Sequence, residues 1–372
     1  MIETYDFIVI GGGIAGASAA WFLSSHGRTL ILEREDFPGY HTTGRSAAFF
    51  AETYGNSVVQ KLTRASGAFL LSPPEDFSDT ALVTGRGAVY VATPEQQDVL
   101  KQSFEVKKAI SPEISMLTAV EIADRVPCLR RDYAVAGYLE PGCRDIDVHA
   151  LHQGYLRGIR ARDGHILCNR PVRRLEKQAG GWRVETDGGA FEGRILINAA
   201  GAWGDEVARL AGLQGINLEP RRRTVICLDV DNSGNLSPEM PLVLDTEDRF
   251  YFKPEGGGVL LSPCDETPMP PCDVQPEEID VARAIDRFEA ATDLKVRHVR
   301  RKWSGLRTFA EDRSPVVGFD PSCEGFFWCV GQGGFGIQTS PAIGRLVCGL
   351  ITGKEDSMDL PVAEISPVRF RR

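Results

Sequence analysis

The chain has 372 residues, 42% of them hydrophobic, enough to bury more than one core, and at roughly 100 to 200 residues per domain it should form two domains. Lys and Arg total 42 against 51 Asp and Glu, a formal charge of −9 with no long basic run, which excludes nucleic acid or an anionic membrane surface as the expected partner. The nine cysteines are scattered and never spaced CxxC, which excludes a disulfide framework or a zinc ribbon; reduced thiols, a cytoplasmic location, no signal peptide and no transmembrane segment are expected.

In chain order, Tyr5–Ile10 reads as a short apolar strand running into Gly11-Gly12-Gly13-Ile14-Ala15-Gly16, which opens a helix through Leu23. Gly11 allows the tight turn, Gly13 admits a pyrophosphate to the backbone, and Gly16 lets the helix pack on the strand, so the helix N-terminus points at phosphate. A second strand, Thr29–Leu32, ends at Glu33, about twenty residues on, where an acidic side chain accepts ribose hydroxyls. This is a dinucleotide fingerprint in the strand–turn–helix context the motif demands.

The polar loop Pro38–Ser46 follows. Its hydroxyls, its amides and Arg45 suit a pyrophosphate or a flavin ring, and Ser46 is expected to cap a helix through Ala47–Phe50 to Tyr54. Strands at 80–93, a helix at 94–107 and another near 118–126 break the first rhythm and mark an inserted second domain. A long helix from Asp147 to about Arg162 carries His149 and His152 at i, i+3, but no third ligand is evident and no metal site is expected. Strands near 166–168, 172–177 and 182–186 precede Arg194–Trp203, an apolar strand whose small residues let backbone approach a cofactor. From Glu219 to about Arg300, strands and one helix (276–292) return to the inserted domain. Finally the strand Phe326–Val330, the turn Gly331–Gly336 and a helix from Ile337 to Thr352 aim a second positive helix end at a developing anion, a need of a reduced flavin rather than of a nicotinamide.

Gly11–Gly16 with Glu33-Arg34, Gly39–Ala48, Asp145–Asp147 with Leu151–Gly158, Asn198–Trp203, Trp303–Arg307 and Gln332–Thr339 together resemble the flavin-dependent D-amino-acid oxidase, glycine oxidase and sarcosine oxidase superfamily over nearly the whole chain, most of all its D-arginine dehydrogenase branch. The resemblance implies an α/β fold: a Rossmann-type FAD-binding domain (1–80, 142–217 and 301–372) with an inserted α+β substrate domain (81–141 and 218–300) on a mostly antiparallel sheet. It implies noncovalent FAD held by Gly11, Gly13, Ala15, Gly16, Glu33 and Arg34, by Thr42, Thr43, Gly44, Arg45 and Ser46, by Val172, Ala200 and Gly201, and by Gly333, Gly334, Gly336, Ile337, Gln338 and Thr339. The implied reaction is oxidative deamination of a D-amino acid to a 2-oxo acid and ammonia, by hydride transfer from Cα to flavin N5. The electron acceptor that follows is left open.

The resemblance assigns Arg307 to the substrate carboxylate, with Tyr251 and Arg223 beside it and Tyr54 on a mobile lip. A planar, permanently charged fork is also what elementary chemistry asks for there. Phe49, Ala88, Gly334 and Gln338 are the expected pocket wall. Phe49 and Ala88 stand where D-arginine dehydrogenase has a histidine and a glutamate, so neutral or apolar side chains are expected to be preferred over basic ones. Three alternatives stay open: oxidation of a secondary amino acid or 2-hydroxy acid, a flavoprotein subunit that needs a partner, and a NAD-dependent dehydrogenase.

Overall fold

A computed structural model describes residues 2–231, 233–354 and 360–370. The first strand, Glu3–Ile10, has Phe7, Ile8 and Val9 at 0–1% exposure, an unbroken apolar run of the kind that a parallel sheet covered on both faces buries. It pairs in parallel with Thr29–Leu32 on one side and Gly189–Asn198 on the other. His165–Leu167 extends the sheet beyond Thr29–Leu32; Gly181–Thr186 and Val172–Gln178 extend it antiparallel beyond Gly189. Phe326–Val330 adds in parallel beside Leu196–Asn198, and Val316–Phe319 completes eight strands.

Alternation sorts the side chains. Phe7, Val9 and Ile31 face a core shared with helices Ile14–Leu23, Val148–Arg160 and Gly336–Thr352, while Ile8, Ile10, Leu30 and Leu32 face the other side. Each such fully buried aliphatic chain contributes roughly 1.5–3 kcal/mol relative to exposure. The helix Ile14–Leu23 lies close to its strand because a Cβ on Gly16 would fall 2.0 Å from the Gly11 carbonyl oxygen.

The second sheet has nine strands. Thr267–Pro268, Glu219–Val230, Gly258–Ser262, Tyr251–Glu255, Leu242–Asp245, Ala88–Ala92, Ala136–Glu140 and Ser115–Thr118 follow one another, and Val296–Phe309 pairs along Glu219–Val230. All neighbours are antiparallel except Leu242–Asp245 with Ala88–Ala92. This is the α/β architecture expected from the motifs, with two corrections of detail. The boundary at 300/301 falls inside the continuous strand Val296–Phe309, because its register against Glu219–Val230 holds it in the second sheet as far as Phe309. The helix expected behind Ser46 does not form: Phe49–Phe50 is a short strand against Arg144 and Asp145, the next helix starts at Ser57 behind an Asn56 cap, and the Ser46 hydroxyl donates to Thr42 O at 2.8 Å. Two adjacent phenylalanines fit a pleated edge better than a helix start.

Candidate active site

A cavity of about 890 Å³ lies between the two sheets and takes wall residues from both. Gly11, Gly13, Ala15, Glu33, Arg34, Thr42, Thr43, Arg45, Ser46, Val172, Ala200 and Gly201 border one end; Gly333, Gly334, Gly336, Ile337 and Gln338 border the middle. Gly16 and Thr339 are buried behind the wall, and Gly44 is exposed beside it. Gly16 abuts the Gly11 carbonyl, a Cβ on Gly44 would come within 2.7 Å of Gly39 O, and the Thr339 hydroxyl donates to Phe335 O at 3.0 Å within its own helix. All three, named with the cofactor's neighbours from the sequence, shape the backbone that borders the cavity.

The turn at the first helix is tightly held. The Gly12 amide donates to Glu33 Oε2 at 2.8 Å, the Glu35 amide to Glu33 Oε1 at 3.0 Å, and the Ile14 amide to Thr43 Oγ1 at 2.9 Å. From the helix behind, His152 Nε2–H donates to Gly12 O at 2.9 Å. Sequence reading missed this role of His152; its place on the buried face of an amphipathic helix was the available signal. Arg45, which borders the cavity, is also engaged by the protein. It donates to Ser304 O at 3.1 Å and Val274 O at 3.2 Å and pairs with Asp273 at 2.5 Å, so its charge braces this loop against the second sheet.

At the other end Arg307 projects from Val296–Phe309 and donates to the Tyr54 hydroxyl at 3.2 Å. A Cβ on Gly334 would come within 2.7 Å of the guanidinium carbon, so glycine there leaves the fork its space. Burial opposes the Arg307 charge, but the oxygens of Tyr54 and Tyr251 outweigh it and hold the cation firmly protonated. Burial also pushes the Tyr251 phenol up, partly countered by Arg307 and Arg223, and keeps it a hydrogen-bond donor. Among the described residues Arg307 has no carboxylate partner. Arg223 does: it donates to Asp265 O at 2.9 Å and pairs with Glu266 at 3.2 Å, so it borders the cavity with much of its charge already answered.

The Phe49 ring stands edge-on to Tyr251 with centroids 6.2 Å apart, and Ala88 is 1% exposed. Gln338 Oε1 accepts from the Ala51 amide at 3.1 Å. The structure adds Tyr90, Leu242, Leu244, Asp248 and Cys264 to this wall. Tyr90 was legible in principle, since alternation along Ala88–Ala92 puts it on the face that Ala88 occupies. Burial pushes the Cys264 thiol up to about 12, leaving it unreactive.

The family model for DAO, FAD dependent oxidoreductase, matches residues 6–350. The chain belongs to this family. Among curated relatives it is similar to dimethylglycine dehydrogenase of Rattus norvegicus, 25% identical over 98% of this chain but only 45% of that protein, so it spans less than half of that relative's length. It is also similar to glycine oxidase of Geobacillus kaustophilus, 24% identical over 97% of this chain and 96% of the relative. The solved structure of that glycine oxidase superposes with a TM-score of 0.84 at 23% identity, covering 98% of both chains. L-proline dehydrogenase from P. horikoshii superposes with a TM-score of 0.85 at 20% identity, covering 100% of this chain and 98% of the other.

FAD is therefore the cofactor of this DAO-family oxidoreductase, and the wall residues fit it. The helices Ile14–Leu23 and Gly336–Thr352 both present N-termini beside the cavity, capped by Gly13 and Phe335 without side-chain cap bonds, and neither has an acidic residue in its first turn. Two positive helix ends without an acidic residue in the first turn suit the pyrophosphate and the electron-rich edge of a flavin. The glycine turn and Glu33 would hold the adenosine half; the turn before Gly336 would hold the ring. The NAD reading is set aside with the family assignment.

Proposed function

We propose that this enzyme oxidises the Cα–N bond of a D-amino acid with a neutral side chain, giving an imino acid that hydrolyses in water to a 2-oxo acid and ammonia. The observation that carries the reading is Arg307, a guanidinium bordering the cavity that donates to Tyr54 and has no carboxylate partner among the described residues. A substrate carboxylate supplies the missing charge, held by both arms of the fork. Glycine, dimethylglycine and proline, the amines in the relatives' names, all carry nitrogen on the carbon that bears the carboxylate.

FAD, when bound, supplies the two-electron acceptor. The protein's part is orientation. Arg307 fixes the carboxylate, Tyr54 fixes Arg307, and the two ends of the cavity hold substrate and cofactor side by side. No side chain is assigned as general base, since oxidation requires only that the nitrogen be unprotonated when it occurs. Phe49 and Ala88 suit a neutral side chain, each buried methylene adding about 0.8 kcal/mol. The D configuration rests on the family resemblance. The test is a panel of D- and L-amino acids and 2-hydroxy acids with a phenazine dye as acceptor, following flavin bleaching. Turnover of neutral D-amino acids is expected; exclusive turnover of L-amino acids or hydroxy acids would overturn the reading.

A further inference from the structure

Six charged side chains border the substrate end of the cavity: Arg223, Arg307, Arg313, Glu247, Asp248 and Glu266. Four of them are answered by contact. Glu266 pairs with Arg223 at 3.2 Å and with Arg313 at 3.0 Å, and Glu247 pairs with Arg249 while accepting from Gln96 at 2.9 Å. Behind this wall Lys107 pairs with Glu140 at 3.7 Å. Two charges are left over, one of each sign. Arg307 is a cation without a carboxylate, and Asp248 is a carboxylate with neither a hydrogen bond nor an ion pair to its side chain among the described residues.

Asp248 is held where it is. It lies in the turn between Leu242–Asp245 and Tyr251–Glu255 at φ 55°, its amide donating to Asp245 O at 3.0 Å, while Asp245 Oδ1 accepts the Glu247 amide at 2.9 Å. Few residues other than glycine, asparagine and aspartate take that backbone conformation readily. The residue is exposed at the tip of its turn, yet it borders the cavity, where its carboxylate lies within the field of Arg223, Lys107 and Arg307 and partial desolvation opposes its charge. When a substrate carboxylate neutralises Arg307, Asp248 becomes the one uncompensated charge bordering this end.

Resting on the amino-acid reading above, we propose that Asp248 is the counter-charge to the substrate's ammonium, and so the residue that makes the pocket select a zwitterion over a simple carboxylate. The pocket then captures the ammonium form that prevails near neutral pH, and its proton passes to solvent water before the Cα–N bond is oxidised. A 2-hydroxy acid or an acidic amino acid leaves Asp248 unanswered or facing a like charge, and a basic amino acid adds a cation beside Arg223, Arg307 and Arg313. Asp248 acts here on binding and charge selection, not on the reacting bond.

The test is Asp248→Asn, which removes the charge and keeps a side chain suited to positive φ, in the flavin-loaded enzyme. Two ligands of the same carbon skeleton are compared: D-leucine, by steady-state kinetics, and isocaproate, which is leucine without its amine, by calorimetric titration. The expected result is opposite in sign for the two. The KM for D-leucine rises about five- to fifty-fold with kcat within about threefold, while the dissociation constant of isocaproate falls about fivefold or more. Equal weakening of both ligands would mean that the turn had been disturbed, and a change under twofold in both would mean that the charge is not felt; either overturns the proposal. If no amino acid is turned over, the functional reading fails on its own, and isocaproate alone still decides: tighter binding to the variant supports the counter-charge, and unchanged or weaker binding overturns it.

Discussion

A lysine at position 307 would keep the charge and lose the fork, and an alanine would lose both. Truncating one partner of a buried charge pair costs roughly 2 to 5 kcal/mol, so Arg307→Ala is expected to lower kcat/KM by about thirty-fold to several thousand-fold while the purified protein stays yellow. A loss under threefold with a good substrate would remove Arg307 from the site. Sequence alone singled out Arg307 and Arg223 by their resemblance to family members, but the residues themselves do not say which way the side chains of Arg221-Arg222-Arg223 turn. Strand alternation settles that only once the sheet is known: Arg222 turns the other way, 2% exposed among Asp265, Glu277 and Asp280, and Arg223 borders the cavity. Asp248 was illegible for a different reason. Its distinction is the absence of a partner among the described residues, which depends on where Arg249, Gln96 and Glu266 point.

The strand–turn–helix element at the N-terminus was read nearly to the residue, because its glycines are required by contacts local to the turn. Gly13→Val is expected to yield colourless protein: the added side chain would stand at the cavity wall, its Cβ 3.3 Å from Thr43 Oγ1, the oxygen that accepts the Ile14 amide. Full flavin absorbance in the purified variant would contradict the placement of the pyrophosphate. The same turn carries a pH dependence. Burial lowers the His152 pKa, with the Gly12 carbonyl opposing, so the folded protein binds this proton less readily than the unfolded chain, whose histidines titrate near about 6.5. Stability from this residue is intact above that value and is lost as pH falls through it towards the folded pKa. The melting temperature should therefore drop between pH 7 and pH 5 more steeply in the wild type than in His152→Gln, which keeps a donor but cannot titrate. Equal slopes would show that His152 does not contribute. By contrast, the helix expected after Ser46 was misread because the local residues are permissive and the partner strand, Arg144–Ile146, lies far along the chain.

At the scale of the molecule, both sheets and most of their strands were legible from apolar periodicity, whereas the way the chain passes between them was not, since Val296–Phe309 carries no mark in its sequence of where one sheet's territory ends. The wall formed jointly by Phe49, Ala88 and Tyr251 leads to an expectation for the whole enzyme. D-methionine, D-leucine or D-phenylalanine should have a kcat/KM exceeding that of D-arginine, whose guanidinium would be desolvated beside two or three arginines; the opposite order by about tenfold or more in side-by-side assays would refute it. The nucleotide sheet also bears on how this protein comes into being. Glu3 pairs with Phe191, and Asn198 with Trp328, so the first strand made has one side open until the middle of the chain exists, and the last wall of the cavity arrives later still. At synthesis rates of roughly 5 to 20 residues per second, Glu3–Ile10 waits on the order of ten seconds or more for its second neighbour. An apolar strand with a bare edge over that interval is a template for pairing with another chain. Yield of this protein should thus be governed less by the stability of the finished fold than by what shields that edge on the ribosome, and slower initiation or a bound chaperone should raise it more than added flavin, which has no complete site to bind until translation is nearly over.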